Sequence, residues 1–265
     1  TIGLIISNIL NPFYAKVLIG VEKHLDENGY KLITSISNDS KYKESKSITK
    51  MGGGYVNGLI ICVSKEAEIA NKYDHIKALM GQGTPVVMFD RICEMIDCDK
   101  VIINDFEAAF NTTEYLIKNK GCKHIIMTSL IHSLQHGKLR AEGFKAAMDK
   151  HNLDTQNRII VAEDAMQLKQ KLVSAFNKDR KIDGVFGVNE LAVTEAMHII
   201  RDLGLVKSTI EIAGFCNKIY SDFNSSILIV NQNAEKIGIE SAKLILNRIA
   251  NSAKNDYQTK TVNIN

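Results

Sequence analysis

The chain has little that would mark it as a membrane protein, a disulfide scaffold or a nucleic-acid binder. No apolar run in its 265 residues approaches the roughly 20 residues that a membrane helix needs, and no charged-then-apolar signal segment precedes the first strand pattern. Its 5 cysteines, Cys62, Cys93, Cys98, Cys122 and Cys216, are odd in number and include no CxxC pair. Cys62 and Cys122 lie in or beside apolar strand patterns, so neither a disulfide framework nor a zinc site is expected, and a reducing, cytoplasmic compartment is. The balance of 33 basic and 30 acidic residues leaves a formal net charge of +3 without a dense Lys/Arg block. Phosphate contacts need clustered positive charge, so this chain is not expected to bind nucleic acid strongly by itself.

The usual catalytic signatures are missing as well. There is no GxxxxGK[ST], no GxGxxG after the first strand, no GxSxG and no HExxH among the 7 histidines. No catalytic residue, metal or cofactor is therefore expected, and the chain reads as a non-enzyme. His24 and His151 fall on helices among charged residues and read as solvated. The run Gly52, Gly53, Gly54 precedes a strand rather than a helix and reads as a turn.

What is present is an alternation of strands and helices. Ile2, Leu4, Ile5 and Ile6 form a buried-strand pattern. Asn11 and Pro12 then make a helix start, Phe13, Val17, Val21 and Leu25 recur on one face, and Gly29 is placed to stop the helix. Further strand patterns lie at Tyr30 to Ile36, Tyr55 to Val63, Val86 to Phe89 and Val101 to Ile103, with one helical stretch near Ile69 to Met80. The other of the 2 prolines, Pro85, also falls at an element start. A second comparable run continues through HIIMTS, Arg158 to Ala162, DGVFGV, Ile210 to Ala213 and Ile227 to Val230. It closes with a long helix from Ala234 and a last strand at Thr259 to Ile264. Such alternation means βαβ units, and two runs imply an α/β protein of two lobes, each with a parallel sheet. The expected division is 1–104 with 232–253 as the amino lobe and 105–231 with 254–265 as the carboxyl lobe.

Polar residues recur just past strand ends. Asp90 and Arg91 follow VVMF, Asp105 follows Val101 to Asn104, Asn189 follows DGVFGV, Gln232 follows Ile227 to Val230, and Arg140 lies near the start of its helix. Any one of them is explained by capping or a surface charge. Taken with Asn11, Phe13 and Tyr14, they sit where open α/β sheets bind ligands. Carboxylates, forked arginines, amides and an aromatic ring form an inventory suited to a polyhydroxy ligand.

The segments IGLIISNILNPFYAKVLIGVEKHLDENGYKL, YVNGLII, GTPVVMFDR, INDFEAAFNTTEYLIKNKGCKHI, RAEGFKAAM, DGVFGVNELAVTEAM, IEIAGF and NQNAEKIG together resemble the effector-binding domain of the LacI/GalR family of bacterial transcription regulators. That domain shares its fold with the periplasmic sugar-binding proteins. The resemblance spans essentially the whole chain. It implies the type I periplasmic-binding-protein-like architecture of two Rossmann-like lobes with a ligand cleft between them, and a homodimer that senses a small-molecule, carbohydrate effector. It further implies that Asn11, Phe13, Tyr14, Asp90, Arg91, Asp105, Arg140, Asn189 and Gln232 line the site, together with the residue at position 216. In that family a separate helix-turn-helix domain at the amino terminus, not included here, contacts operator DNA. The alternative is an extracytoplasmic sugar-binding protein of a transporter.

Two positions depart from the family pattern. Asn189-Glu190 stands where Asn-Asp is usual, and Cys216 stands where an aspartate usually follows Gly-Phe. A thiol cannot replace a bidentate carboxylate. Loss of that charge leaves Arg91 and Arg140 less neutralised, which would favour an acidic or phosphorylated sugar, or a less hydroxylated ligand.

Overall fold

The computed structural model describes residues 1–205, 210–216, 227–251 and 256–264. In chain order the first elements are β1 (Ile2–Ile6), α1 (Pro12–Glu27), β2 (Leu32–Ile36), α2 (Lys41–Met51), β3 (Gly58–Ile61), α3 (Lys65–Ala70), α4 (Asp74–Gly81), β4 (Val86–Phe89) and β5 (Asp99–Ile102). Then come α5 (Asp105–Lys118), β6 (Ile125–Ser129), α6 (Gln135–Lys150), β7 (Ile159–Val161), α7 (Ala165–Lys178), β8 (Gly184–Gly187), α8 (Glu190–Asp202), β9 (Glu211–Phe215) and β10 (Ile227–Val230). The chain closes with α9 (Ala234–Ala250) and β11 (Thr259–Thr261).

The chain forms two compact units, one of residues 1–103 with 233–263 and the other of residues 104–232 with 264–265. The first holds a six-stranded sheet in the order β11-β5-β4-β3-β1-β2, with every pair parallel. The local signals act as their chemistry predicts. Asn11 accepts the backbone N–H of Phe13 at 3.0 Å, and Gly29 takes φ +74° after α1, so that Tyr30 N–H returns to the Leu25 carbonyl at 2.9 Å. Strand side chains alternate between faces. Ile5, Leu59, Ile61, Val86 and Met88 pack with α2, α3 and α4, while α9 lies against β3, β4 and β5 and α1 packs on α9.

Two sequence expectations are corrected here. The single helical stretch near Ile69 to Met80 is two helices, because Asn71 adopts φ +52° and ends α3 before α4 begins; asparagine tolerates the left-handed region better than other non-glycine residues. The closing segment, expected with the carboxyl lobe, instead joins the first unit. There β11 pairs with β5 from Thr259↔Lys100 to Thr261↔Ile102. Asp99 holds it, accepting from Gln258 N–H at 2.8 Å and from Arg248 at 2.9 Å. The expected 253/254 boundary lies outside the described residues.

The second unit holds a five-stranded parallel sheet in the order β10-β9-β8-β6-β7. Ile126, Val185, Ile212 and Cys216 pack with α7 and α8. The intervening positions face the other way, where Phe144 of α6 stacks on Phe186 at 6.3 Å and Phe186 meets Phe215 at 6.1 Å between ring centroids.

Candidate functional site

In the first unit, polar side chains gather past the carboxyl ends of neighbouring parallel strands. Ser7 follows β1, Asp39 follows β2, Cys62 follows β3, and Asp90 and Arg91 follow β4. Arg91, 3% exposed, is the hub. Its Nη1 pairs with Asp39 Oδ1 at 2.6 Å and its Nε donates to Cys62 Sγ at 3.3 Å. Its Nη2 is buried and has no hydrogen-bond partner among the described residues. Asp39 Oδ1 also accepts from the Ser7 hydroxyl at 2.6 Å and from Lys65 N–H at 3.3 Å. From the first turn of α1, the Tyr14 hydroxyl donates to Asp90 Oδ2 at 3.2 Å, and Phe13 meets the Tyr14 ring edge-on at 5.1 Å. Asp90 holds φ +60°, a strained backbone that turns its carboxylate at the end of β4.

Burial sets the protonation of this cluster. It pushes the Cys62 thiol up to about 12, only partly opposed by Arg91, and lifts the Tyr14 phenol well above its ordinary range. Both stay protonated and can donate. Burial also works to raise Asp39, but the Arg91 charge and the bond from Ser7 outweigh it and hold the carboxyl below its ordinary value.

The second unit carries a matching arrangement. Asp105 opens α5 behind the N-cap Asn104, whose side chain accepts from Glu107 N–H at 3.2 Å. Arg140, from α6, donates to Asp105 Oδ1 through Nε and pairs with it through Nη2, both at 2.7 Å, while Nη1 donates to the Val188 carbonyl. The guanidinium lies 3.6 Å from the centroid of the Phe215 ring. Asn189 caps α8, accepting from Ala192 N–H at 3.3 Å. Cys216 is 7% exposed and belongs to the apolar cluster under α7 and α8; burial first, then the nearby charge of Glu190, pushes its thiol up to about 12.

The structure therefore brings Tyr14, Asp90 and Arg91 together in one unit, with Phe13 and the exposed Asn11 alongside, and Asp105 and Arg140 together in the other. Asn11 and Asn189 use their side-chain oxygens as helix caps, and half-buried Gln232 follows β10. Sequence reasoning missed Ser7, Asp39 and Cys62 as members of the cluster around Arg91. Each follows a strand as the recognised residues do, but serine, cysteine and a loop aspartate are common enough at strand ends to pass for punctuation. The arginines expected to be less neutralised each have a carboxylate partner within their own unit, Asp39 for Arg91 and Asp105 for Arg140. Among the described residues no cluster of three or more metal-ligating side chains occurs, and no helix is long and apolar enough to cross a membrane.

Comparison with known proteins adds a family to this geometry. The family model described as periplasmic binding proteins and sugar binding domain of LacI family matches residues 1–265. The HTH-type transcriptional repressor PurR of Actinobacillus pleuropneumoniae serotype 3 (strain JL03) is 25% identical, covering 99% of this chain and 77% of its own. Catabolite control protein A of Priestia megaterium is 30% identical over 82% of this chain and 65% of its own. Among solved structures, a LacI family transcriptional regulator from Enterococcus faecium with bound ribose is 21% identical with a TM-score of 0.83, covering 100% of this chain and 95% of its own. The transcription regulator CcpA of Lactococcus lactis has the same identity of 21% and TM-score of 0.83, covering 100% of this chain and 96% of its own. At that identity the structures establish the shared fold.

Proposed function

The chain belongs to the family of periplasmic binding proteins and LacI-family sugar-binding domains, and on that premise we propose that it is the ligand-sensing core of a LacI-type transcriptional regulator whose effector is a sugar or sugar derivative. The observation that carries the reading is the pairing, in each unit, of a buried arginine with carboxylates and an aromatic ring past the carboxyl ends of the sheet. In the first unit Asp90 and Asp39 accept from ligand hydroxyls, Nη2 of Arg91, without a partner among the described residues, donates to a ligand oxygen, and Phe13 and Tyr14 offer apolar ring surface. In the second, Asp105, Arg140 and Asn189 supply the polar contacts, with Cys216 and Gln232 at the margin.

A ligand that engages these groups favours the conformation that presents them to it. Its differential affinity is what shifts the population. In a homodimeric, cytoplasmic regulator, that shift is passed to a helix-turn-helix domain on the same polypeptide, which contacts operator DNA. The curated relatives named above are regulators, which supports this reading over a transport receptor.

A thermal-shift screen of sugars, sugar acids and sugar phosphates tests it, since a ligand bound only by the folded form raises Tm, by several degrees at about a hundredfold excess over Kd. A flat response to every carbohydrate would sink the sugar reading. The coding sequence upstream of Thr1 tests the regulator assignment: a helix-turn-helix supports it and a signal peptide refutes it.

A further inference from the structure

The first unit also has a cavity at the other end of its sheet. About 980 Å³ of space opens between α2, α4 and the turns that lead into β3 and β4. Those are the amino ends of the strands whose carboxyl ends carry Cys62, Asp90 and Arg91, so this space is separate from the candidate site. The run Gly52, Gly53, Gly54, a turn as its place before a strand predicts, forms one wall. Gly53 and Gly54 hold φ +66° and +88°, and a Cβ at either would meet nothing within 4 Å. That wall is bare backbone. Asn57, Gln82 and Thr84 add amides and a hydroxyl, and the exposed Tyr55 adds ring surface. Among the described residues no Lys, Arg, Asp or Glu lines the cavity.

His75 also lines it, and its side chain is only 8% exposed. Its Nε2 donates to Oε1 of Glu44, which is fully buried. With Nε2–H used in this way, Nδ1 of the neutral ring is an acceptor, and Nδ1 is buried without a hydrogen-bond partner among the described residues. A buried acceptor left unmet costs free energy. The other Glu44 oxygen, Oε2, accepts from the N–H of Ser64, the cap of α3. The next N–H, of Lys65, is the one bonded to Asp39 in the cluster around Arg91. A line of hydrogen bonds thus runs from the cavity through Glu44 and the start of α3 to Asp39.

We propose that this cavity is a second small-molecule site, for an uncharged molecule that donates from a hydroxyl or amide group to His75 Nδ1, and that its occupancy is felt at the Arg91 cluster through Glu44. The lining decides the ligand's charge. An ion would find no side chain of opposite charge there, and burying an unmatched charge is costly. Hydroxyl and amide groups find donors and acceptors in Asn57, Gln82 and Thr84. The volume falls within the range of about 300–1,000 Å³ usual for small-molecule sites. A ligand that meets the orphan acceptor changes the setting of the His75–Glu44 pair, and with it the hold of Glu44 on Ser64 and of Lys65 on Asp39. The coupling is reciprocal, so a ligand at the Arg91 cluster alters affinity in this cavity by the same factor.

The test is a magnetic-resonance titration of the nitrogen-labelled chain with two uncharged probes, D-glucose and nicotinamide, and their charged counterparts, D-gluconate and nicotinate. At least one uncharged probe should shift the Gly53 and Gly54 amides and His75 Nδ1 along a single binding curve, with the Ser64 and Lys65 amides following it. Its charged counterpart should bind at least about 10-fold more weakly. His75→Phe removes the acceptor and should weaken the uncharged probe about 10-fold. Ala78→Trp fills the cavity from an exposed position of α4 and should abolish the response; it decides the matter should His75→Phe, which leaves Glu44 short of a partner, not fold. No shift at Gly53, Gly54 and His75 with any of the four probes, shifts that survive Ala78→Trp, or equal binding of charged and uncharged probes overturns the inference, the cavity then holding water alone. Shifts at the cavity with static Ser64 and Lys65 amides overturn the link to the Arg91 cluster. Shifts confined to the surroundings of Asp90 and Arg91 support the sugar reading and overturn this site, whereas a response at the cavity alone does the reverse.

Discussion

Arg140 directs two of its nitrogens, Nε and Nη2, at a single oxygen of Asp105, Oδ1, at 2.7 Å each. The pair is almost wholly removed from water, with side-chain exposures of 3% and 9%. Arg140 is therefore held by its own unit in a fixed plane over Phe215, and any ligand contact it makes is made by a pre-oriented fork.

Removing one partner of such a pair leaves a buried charge uncompensated. Asp105→Ala is expected to cost about 3–5 kcal/mol, and the double replacement Asp105→Leu with Arg140→Met much less, because no orphan charge remains. Urea denaturation of the single and double variants measures the difference. Equal losses in the two would show that packing around Phe215, rather than the ion pair, holds the cluster.

Gly214→Ala introduces a Cβ 2.3 Å from the Gly187 carbonyl oxygen and 2.4 Å from Val193 Cγ2, so α8 must move. The overpacking is expected to cost about 1–3 kcal/mol, and Val193→Ala in the same chain should recover part of it by removing one of the two clashes. Tm measurements on both decide. A second variant no more stable than the first would place the strain wholly at the Gly187 carbonyl.

How much of this was readable beforehand depended on what kind of signal carried it. Alternation of apolar runs and caps gave the parallel strands of both sheets, because β1 is buried along its whole length and α1 starts and stops on residues that do little else. Asp90, Arg91 and Asp105 stood out because each is a charge just past an apolar run, and Arg140 because it lies near the start of its helix. Partnerships were not readable. Asp39 and Arg91 pair across a sequence separation of 52 residues, and no periodicity encodes that. The place of β11 was equally hidden, since a three-residue strand with every residue exposed has no apolar pattern and is fixed by its pairing with β5.

The Asp39 carboxyl is held below its ordinary value in the folded chain, so its contribution has a definite sign with pH. A group whose folded pKa is lowered stabilises fully above the unfolded carboxylate value of about 4 and loses that contribution as pH falls through the folded value. Asp39→Asn is therefore expected to be less stable than the wild type at pH 7, with the two Tm curves converging in acid. Tm measured from about pH 7 down to about pH 3, a range bracketing the ordinary carboxylate pKa, checks this. Curves that stay parallel throughout would show that the ionisation of Asp39 is not coupled to folding.

Asp99 and Arg248 bind the last strand to the rest of its unit. Asp99 is 2% exposed and accepts from Arg248 Nε and Nη2 at 2.9 Å each, and from Gln258 N–H at 2.8 Å. The Arg248 guanidinium also lies 4.6 Å from the centroid of the Tyr257 ring. Because β11 buries so little apolar surface, this fork and the Lys260–Glu240 ion pair at 2.9 Å are local ties beyond its backbone ladder. Arg248→Met should cost about 3–5 kcal/mol by leaving a buried carboxylate short of partners. Arg248→Lys should recover little, since an ammonium cannot present two parallel donors. The strand should loosen before the sheet does. The Lys100 N–H, bonded to the Gln258 carbonyl at 2.8 Å, and the Val262 N–H, bonded to the Ile102 carbonyl at 2.8 Å, are expected to exchange with solvent at least about 10-fold faster in the methionine variant, while amides of β1 and β3 keep their protection. Unchanged exchange at Lys100 and Val262 would mean that the ladder to β5 holds β11 without help from the fork.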